Sequence, residues 1–580
     1  MVREWFVCRN RQVGCGIRLL AAIAFAPAVG SAHPALYVDD SATGANDGSS
    51  WCDAFVYLQD AVAAARASRG PVTEIRVAQG TYRPCQGANQ TPGDRTASFE
   101  LVNGVAIRGG YAGCGAADAN ARDILVYQTI LSGDLKNDDA LPASAAGSDC
   151  CAEHRTPGCD DAVCEQMVCG VYAACCTNST WNKFCADAAA YLCCNLCSDA
   201  NNCDNSYHVV ASVGTDATAI LDGFTIIGGH ANVLGAGDND SGAGMINFGG
   251  SPTLRNCTFR ENVSRVGYYY TGGGGGVYSR PPGQPTFTNC TFRGNTTDQS
   301  GGGGFGTGTF VKCLFIGNKA GSAGGGMDGG SAFTNCKFLG NSAGAGGGLS
   351  RSLIGGGTLV NCLFSGNRAG GGGAVYTYLG SPRFTNCTFS GNTGGGFFSD
   401  ESEEQLANCI LWGNVDGSGM GEAAQFRKGV NSWPSINYSS VQGWTGALGG
   451  VGNIGDAPAF INANGSDDVF GTEDDNVGLM VTSPCIDAGD PGFVAQPGET
   501  DLEGHARVLC GRVDMGAYEF GIGDYDCNQS VDLADFSSWQ ACMTGPHSGP
   551  YEPGCEVFDF NADGDVDLLD FDAFQMIFGR

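Results

Sequence analysis

The amino-acid sequence predicts a mainly β chain folded as a parallel β-helix, a solenoid whose coils stack strand on strand. Three observations carry that prediction. The motif Asn-Cys-x-Phe-x-x-Asn recurs at 256–262, 289–295, 335–341, 361–367 and 386–392, with a Lys-led copy at 312–318 and a Leu-containing copy at 408–414. Its cysteines, Cys257, Cys290, Cys313, Cys336, Cys362, Cys387 and Cys409, are spaced by 33, 23, 23, 26, 25 and 22 residues. A period in the twenties marks one supersecondary unit repeated along an axis. The repeated windows, such as "FTNCTFRGN" and "LVNCLFSGN", hold Thr, Val, Phe and Cys between Gly and Asn, which is the make-up of short strands closed by turns. The glycine runs between windows forbid the paired helices of a helical solenoid.

Within each coil the side-chain period of a strand puts Cys and Phe, two apart, on the interior face. The apolar residue ahead of the Asn, as in Leu254 or Leu359, faces in across a corner. Asn tolerates the left-handed backbone that a tight corner needs, and stacked Asn side chains bond coil to coil. The glycine runs form the loop side of each coil, where positive φ is needed. The repeat cysteines read as buried free thiols packing as small apolar groups, since a disulfide between neighbouring coils would strain its dihedral.

The elements follow in order. Residues 1–32 read as a signal peptide: Arg3, Arg9, Arg11 and Arg18 precede the apolar "LLAAIAFAPAVG", and small residues ending at Ala32 offer a cleavage site. Residues 33–140 read as an N-terminal cap and the first coils. In "CDAFVYLQDAVAAARAS" Phe55, Leu58, Val62 and Ala65 fall at helical spacing, with Asp53 as N-cap. That helix caps the open edge of the first coil, and "TEIRVAQGTYRP" supplies the first strand. Residues 141–205 hold twelve cysteines between Cys150 and Cys203 and read as a disulfide-stapled inserted mini-domain. Zinc held by His154 and Cys194-x-x-Cys197 is the sharper alternative; Trp181, Phe184 and Tyr191 read as its small core. Residues 206–520 read as the β-helix repeats and closing coils, with Cys485 and Cys510 placed to staple the end. The loop bearing Asp467, Asp468, Glu473, Asp474 and Asp475 reads either as a Ca²⁺ loop or as a solvated acidic loop.

Residues 521–580 carry the strongest local signal. "DYDCNQSVDLAD" and "DFNADGDVDLLD" are twelve-residue loops with oxygen-bearing side chains at positions 1, 3, 5, 9 and 12 and a backbone carbonyl expected at 7, the spacing of a Ca²⁺ loop. The first loop offers Asp524, Asp526, Asn528, Ser530, Asp532 and Asp535; the second offers Asp559, Asn561, Asp563, Asp565, Asp567 and Asp570. Gly564 stands at the sharp turn of the second loop, where the first has Gln529. An amphipathic run follows each loop, and a solvated acidic tail is the bland alternative.

These loops resemble the duplicated repeat of dockerin type I modules, with Asp at position 12 where EF-hands have Glu. The resemblance covers residues 524–580 and implies an EF-hand-like α-helical module that folds on Ca²⁺ and docks onto a cohesin-like partner. This copy departs from the family in a long spacer holding Cys542 and Cys555. "FSGNRAGGGGAV" and "FLGNSAGAGGGL" resemble the repeat of polymorphic outer-membrane proteins, which implies a surface adhesin. Residues 37–520 resemble the right-handed parallel β-helices of the pectin-lyase-like superfamily, whose folds host polysaccharide lyases and glycoside hydrolases.

Composition narrows the function. The chain has 580 residues and 60 acidic against 30 basic side chains, a net charge of −30, which argues against nucleic acid and anionic membranes as partners. Beyond the leader no stretch is long and apolar enough to span a bilayer, and cysteines in such number fit an oxidising compartment. Along the repeats the carboxylates Asp238, Asp240, Glu261, Asp298, Asp328 and 400–404 form no recurrent pair of the kind hydrolysis needs. His208 and His230 read as structural. Tyr268, Tyr269 and Tyr270 read as exposed aromatics for sugar stacking or as a loop packed on the solenoid. The sequence therefore predicts a bacterial protein, secreted or at the cell surface, acting as an adhesin or carbohydrate-binding scaffold and attached through a Ca²⁺-dependent tail. A polysaccharide lyase or glycoside hydrolase, and a purely structural surface protein, are the rival readings; no catalytic residue is assigned.

Overall fold

Three long parallel sheets wrap one interior. The computed structural model describes residues 35–68, 72–139, 204–233, 240–265, 273–352, 357–528, 530–545, 551, 554–561 and 563–578; within the cysteine-rich stretch it describes 150, 155, 159, 162–177, 180, 181, 185 and 189. The signal peptide, His154, Cys194, Cys197, Phe184, Tyr191, Asp238 and the Tyr268–Tyr270 run lie outside the described residues.

One coil shows the plan. Met245–Phe248 lies in a ten-stranded sheet, Thr253–Arg255 in a twelve-stranded sheet and Thr258–Arg260 in an eleven-stranded sheet. Val263–Ser264 adds a short four-stranded sheet on the way to the next coil. All four sheets pair only in parallel: Phe287 stands over Leu254, and Phe292 over Phe259. The twelve-stranded sheet begins at Ala35–Val38, ahead of the "TEIRVAQGTYRP" segment expected to supply the first strand. That segment gives two strands, Glu74–Ala78 and Gly80–Tyr82, which enter different sheets.

The motif residues divide their labour. The first Asn of each motif takes the left-handed corner, with φ of 52° at Asn256, Asn289, Asn335 and Asn361. The second Asn is fully buried and builds the ladder. Asn318 donates from Nδ2 to Asn341 Oδ1 at 2.9 Å and to the Phe292 carbonyl at 2.8 Å, and its N–H donates to the same Asn341 oxygen at 3.0 Å. Asn341 repeats the pattern onto Asn367, and Asn367 onto Asn392. Gln425, at the end of the short helix Glu422–Gln425, closes the ladder by accepting from Asn414. Each buried amide thus serves two coils.

The interior is a stack of rings and thiols. Phe292, Phe315, Phe338 and Phe364 lie parallel at 4.6–4.7 Å. Beside them the seven motif cysteines are buried and free, each with its Sγ turned toward the carbonyl two residues before it. The glycine runs differ from expectation. Most runs hold a single glycine with positive φ, as at Gly274 (73°), whereas Gly394 and Gly395 both have it. The others are there for close approach: a Cβ on Gly276 would come within 2.3 Å of the Gly303 carbonyl in the next coil.

The ends also correct the sequence reading. The N-terminal helix is Leu58–Ala67, with Leu58, Ala61, Val62 and Ala65 buried on the first coil. Its N-cap is Tyr57, and Asp53 instead binds the Ala45 N–H and Ser50 hydroxyl in the preceding turn. At the other end Ser440–Val441 is the last strand of the eleven-stranded sheet, and Ile454 bridges it in parallel. Residues 456–520 do not continue the stack. They run back over the outer face of the eleven-stranded sheet, starting with the antiparallel pair Phe460–Asn462 and Asn476–Leu479. Val477, Ala517 and Tyr518 pack there on Ile316, Leu339 and Leu363. The corner asparagines hold this segment: Asn335 and Asn361 donate to Thr500 and Asp501. Cys485 is free and buried, and Cys510 pairs with Cys527, so the expected Cys485–Cys510 staple is replaced by a bond into the tail.

In the inserted stretch Cys150–Cys159, Cys169–Cys176 and Cys175–Cys185 are bonded. Trp181 is buried there and donates to the Cys150 carbonyl. Among the described residues no helix is long and apolar enough to cross a membrane.

Candidate functional site

The outer face of the ten-stranded sheet carries a continuous row. Strand alternation sends Met245, Val277, Met327, Leu349, Val375 and Phe397 into the core, so the next residue of each coil points out. The register aligns Ile246, Tyr278, Phe305, Asp328, Ser350, Tyr376, Phe398 and Arg427. Tyr278 and Phe305 are half-buried and parallel, with centroids 5.6 Å apart. Their stacking axis runs along the solenoid, so they turn ring edges outward. Tyr376 and Phe398, also half-buried, form a second pair at 5.5 Å, and the Arg427 guanidinium lies 3.8 Å from the Phe398 centroid. Between the pairs Asp328 and Ser350 are buried. Burial raises the Asp328 carboxyl to about 6, against hydrogen bonds from Ser300 and Ser350 that favour its charge.

Glycine keeps this row open on one flank. A Cβ on Gly371 would meet Phe398 Cδ1 at 3.2 Å and the Arg427 guanidinium at 3.1 Å. Any larger side chain there would cover the ring. From Tyr278 to Phe398 the row climbs five coil steps, about 24 Å at about 4.8 Å per step.

The row escaped the sequence reading, which aligned coils on Asn-Cys. Chain length between the second Asn and this sheet varies, so alignment on that motif does not bring Tyr278 and Phe305 together. Nor does the end of each glycine run: "GGGVYS", "GGGMDG", "GGGLSR" and "GGGFFS" place the outward residue second after the run, but Phe305 directly follows Gly304 and Tyr376 stands third after Gly373. Of the carboxylates weighed from sequence, Asp328 stands in this row. Glu404 is buried and accepts from the Thr377 and Ser399 hydroxyls. His208 and His230 are buried, with His208 Nδ1 against the Gly242 carbonyl.

The tail brings part of each predicted set together: Asp524, Asp526 and Asp535 in the first loop, and Asp565, Asp567 and Asp570 in the second, where position 7 joins by its side chain and Asp559 stays outside the cluster. Asp535 and Asp570 are buried at position 12 of each loop. Asp535 accepts from the N–H groups of Tyr525, Asp526 and Asp532, and Asp570 from those of Phe560, Asn561 and Asp567. Asp532 and Asp567 cap the helices Leu533–Cys542 and Leu568–Ile577 through matching capping boxes. Asp524 and Asp559 each accept from the N–H at position 5, Asn528 and Asp563. Gly564 holds its turn at φ 90°. Oxygens of Asp524, Asp526 and Asp535 lie within 4.8 Å of one another, as do those of Asp565, Asp567 and Asp570. A cation with Ca–O bonds of about 2.3–2.6 Å spans such a triangle, so the residues present fit Ca²⁺. Asn528, Ser530, Asn561 and Asp563 are exposed around these triangles. Burial, with the Asp570 carboxylate beside it, holds Asp559 above the ordinary carboxylate range.

The tail is fastened to the solenoid. Cys527, inside the first loop, is bonded to Cys510 of the returning segment, and Leu509 joins the tail's core with Trp539, Phe558 and Phe574. Cys542–Cys555 closes the long spacer between loops. The acidic loop at 467–475 is used differently. Asp474 accepts from Ser466 and Thr472, Asp475 from Ser365 and the Gly471 N–H, and Glu473 pairs with Arg293. Those bonds pin the loop to the solenoid.

A family model described as "Right handed beta helix region" matches residues 306–432. No curated protein matches the chain. Among solved structures, the pectate lyase Pel9A is similar with a TM-score of 0.37 and 12% identity, over 84% of this chain and 96% of that one.

Proposed function

We propose that this chain is an exported carbohydrate-binding scaffold. The observation that carries the reading is the outer row of paired aromatics, Tyr278 with Phe305 and Tyr376 with Phe398, kept accessible by glycine. Aromatic side chains combine large apolar area with few rotatable bonds, and Tyr adds a hydroxyl. Two rigid pairs of that kind, separated by the two coils of Asp328 and Ser350 and spanning about 24 Å at about 4.8 Å per coil, suit a polysaccharide laid along the solenoid axis. The disulfides at both ends of the chain support export to an oxidising compartment.

In this reading the tail binds Ca²⁺ in two loops. Asp524, Asp526, Asn528, Asp532 and Asp535 hold one ion with the Ser530 carbonyl; Asp559, Asn561, Asp563, Asp567 and Asp570 hold the other with the Asp565 carbonyl. Leu533, Leu568 and Leu569 stand exposed at the helix starts, a surface for a cohesin-like partner that attaches the protein to a cell surface or assembly.

The test is retention and product release on one panel of plant, algal and bacterial polysaccharides with Ca²⁺ present. The scaffold reading predicts retention on at least one polysaccharide without new reducing ends, lost on replacing Tyr278, Phe305, Tyr376 and Phe398 by Ala. New reducing ends would replace it with a lyase or hydrolase; neither retention nor product would leave a structural role.

A further inference from the structure

A cleft on a different sheet has no part in that reading. Where residues 456–520 return over the eleven-stranded sheet they leave a gap of about 280 Å³ above the coils of Cys313 and Cys336. Leu314, Leu339 and Leu363 from the solenoid and Leu502 from the returning segment give it an apolar lining. Lys312 and Lys337 also line it.

Both lysines break the repeat. Six motifs place Asn at the left-handed corner, whereas Lys312 holds the same backbone at φ 53°. A lysine is less at ease there than Asn, whose short side chain bonds locally. Lys337 follows its motif cysteine, where the other coils have Thr258, Thr291, Leu314, Leu363, Thr388 and Ile410. The two departures fall on adjacent coils and meet at one cleft. The carboxylates around them are largely engaged: Glu473 pairs with Arg293, and Asp475 accepts from Ser365 and Gly471. Glu503, held above the ordinary carboxylate range by burial, lies close enough to Lys337 to feel its charge.

We propose that this cleft binds a small hydroxylated aromatic acid. Its carboxylate lies between Lys312 and Lys337, its ring on the leucines, and its hydroxyl toward the Thr472 and Glu503 side. Two lysines on one lining favour an anion, and a cleft of about 280 Å³, just under the usual volume of ligand sites, admits a ligand of one ring.

The test uses the full chain and isothermal titration with 4-hydroxycinnamate, its neutral alcohol and galacturonate. The variant is Lys312→Asn with Lys337→Thr, each a residue that other coils of the repeat use at that place, and its folding is checked by circular dichroism. The expected result is saturable one-to-one binding of 4-hydroxycinnamate, weaker by roughly tenfold or more in the variant and for both comparison ligands. No saturable binding at millimolar concentration, equal binding by the variant, or equal binding of the alcohol or galacturonate would overturn the proposal. Because the aromatic row lies on another sheet, polysaccharide retention is unaffected by either outcome.

Discussion

Replacing Asn341 by Ala tests the load on the buried ladder. Its Oδ1 accepts from the Asn318 N–H at 3.0 Å and from Asn318 Nδ2 at 2.9 Å, and its Nδ2 donates to Asn367 Oδ1 at 3.0 Å and the Phe315 carbonyl at 2.9 Å. Alanine removes all of these. Asn318 Nδ2 keeps the Phe292 carbonyl, and Asn367 Oδ1 keeps the Asn341 N–H. The Asn318 N–H keeps nothing, and a buried orphaned donor costs about 1–3 kcal/mol. The remaining lost bonds contribute about 1 kcal/mol each, less what their partners recover, so the total is about 3–5 kcal/mol. Stability in a solenoid is carried between neighbouring repeats, so the loss is local. Hydrogen exchange read by mass spectrometry over residues 313–345 reports it directly. At about 1.4 kcal/mol per factor of ten, exchange should rise roughly a hundredfold to a few thousandfold. The control is Asn289→Gly. That corner has φ 52° and one exposed side-chain bond to Asn256, so it should cost less than about 1 kcal/mol because glycine accepts the backbone. An Asn341→Ala effect no larger than the control would refute the assignment of stability to the second asparagine.

Three further outcomes follow from named groups. Asp328 has a folded value of about 6 against 3.8 in an open chain, so the folded state holds its proton more tightly; its effect on stability falls as pH rises through that interval and is flat above it. Asp328→Asn should therefore raise the melting temperature at pH 8 and leave it nearly unchanged at pH 4; the reverse order would contradict the burial argument. The seven motif cysteines should be inert to a thiol reagent in the native protein and react once it is unfolded in denaturant, and oxidised thiols on unfolding would contradict the free-thiol interior. Titrating chelator-treated full chain with Ca²⁺ should release binding heat and slow proteolysis within residues 521–580, with Asp559→Ala plus Asp570→Ala removing the second site; absence of heat in the unsubstituted chain would remove Ca²⁺ from the account.

Much of the fold was legible because a repeat reports its own register. Every motif cysteine and phenylalanine predicted to face inward does so, because a two-residue period on a stacked strand leaves one choice. The two asparagines looked alike in sequence but do different work, and only the three-dimensional course separates a corner at φ 52° from a buried ladder amide. What failed lay where no period exists. The segment 456–520 has turns and apolar residues that fit extra coils equally well. Its return over the eleven-stranded sheet is decided by contacts such as Val477 on Leu339, more than a hundred residues apart. Cys510 found Cys527 instead of Cys485 for the same reason. The helix began at Leu58, since Asp53 was already committed to the turn before it. In the tail the twelve-residue spacing marked both loops, but in the second it pointed to side chains at Asp559, Asn561 and Asp563, whereas the carboxylates brought together are Asp565, Asp567 and Asp570, and nothing in it foretold the tail's fastening to the returning segment through Leu509.

The central claim is that the aromatic row holds a polysaccharide along the solenoid axis, and a length series of oligosaccharides from a retained polymer tests it most directly. The row spans about 24 Å in steps of about 4.8 Å, close to one pyranose per coil. Affinity measured by titration should be highest for oligosaccharides of about five or six units, long enough to reach both ring pairs, and then level off, with that gain lost when Tyr278, Phe305, Tyr376 and Phe398 are alanine. Affinity that is independent of length, or that survives loss of all four rings, would contradict the claim.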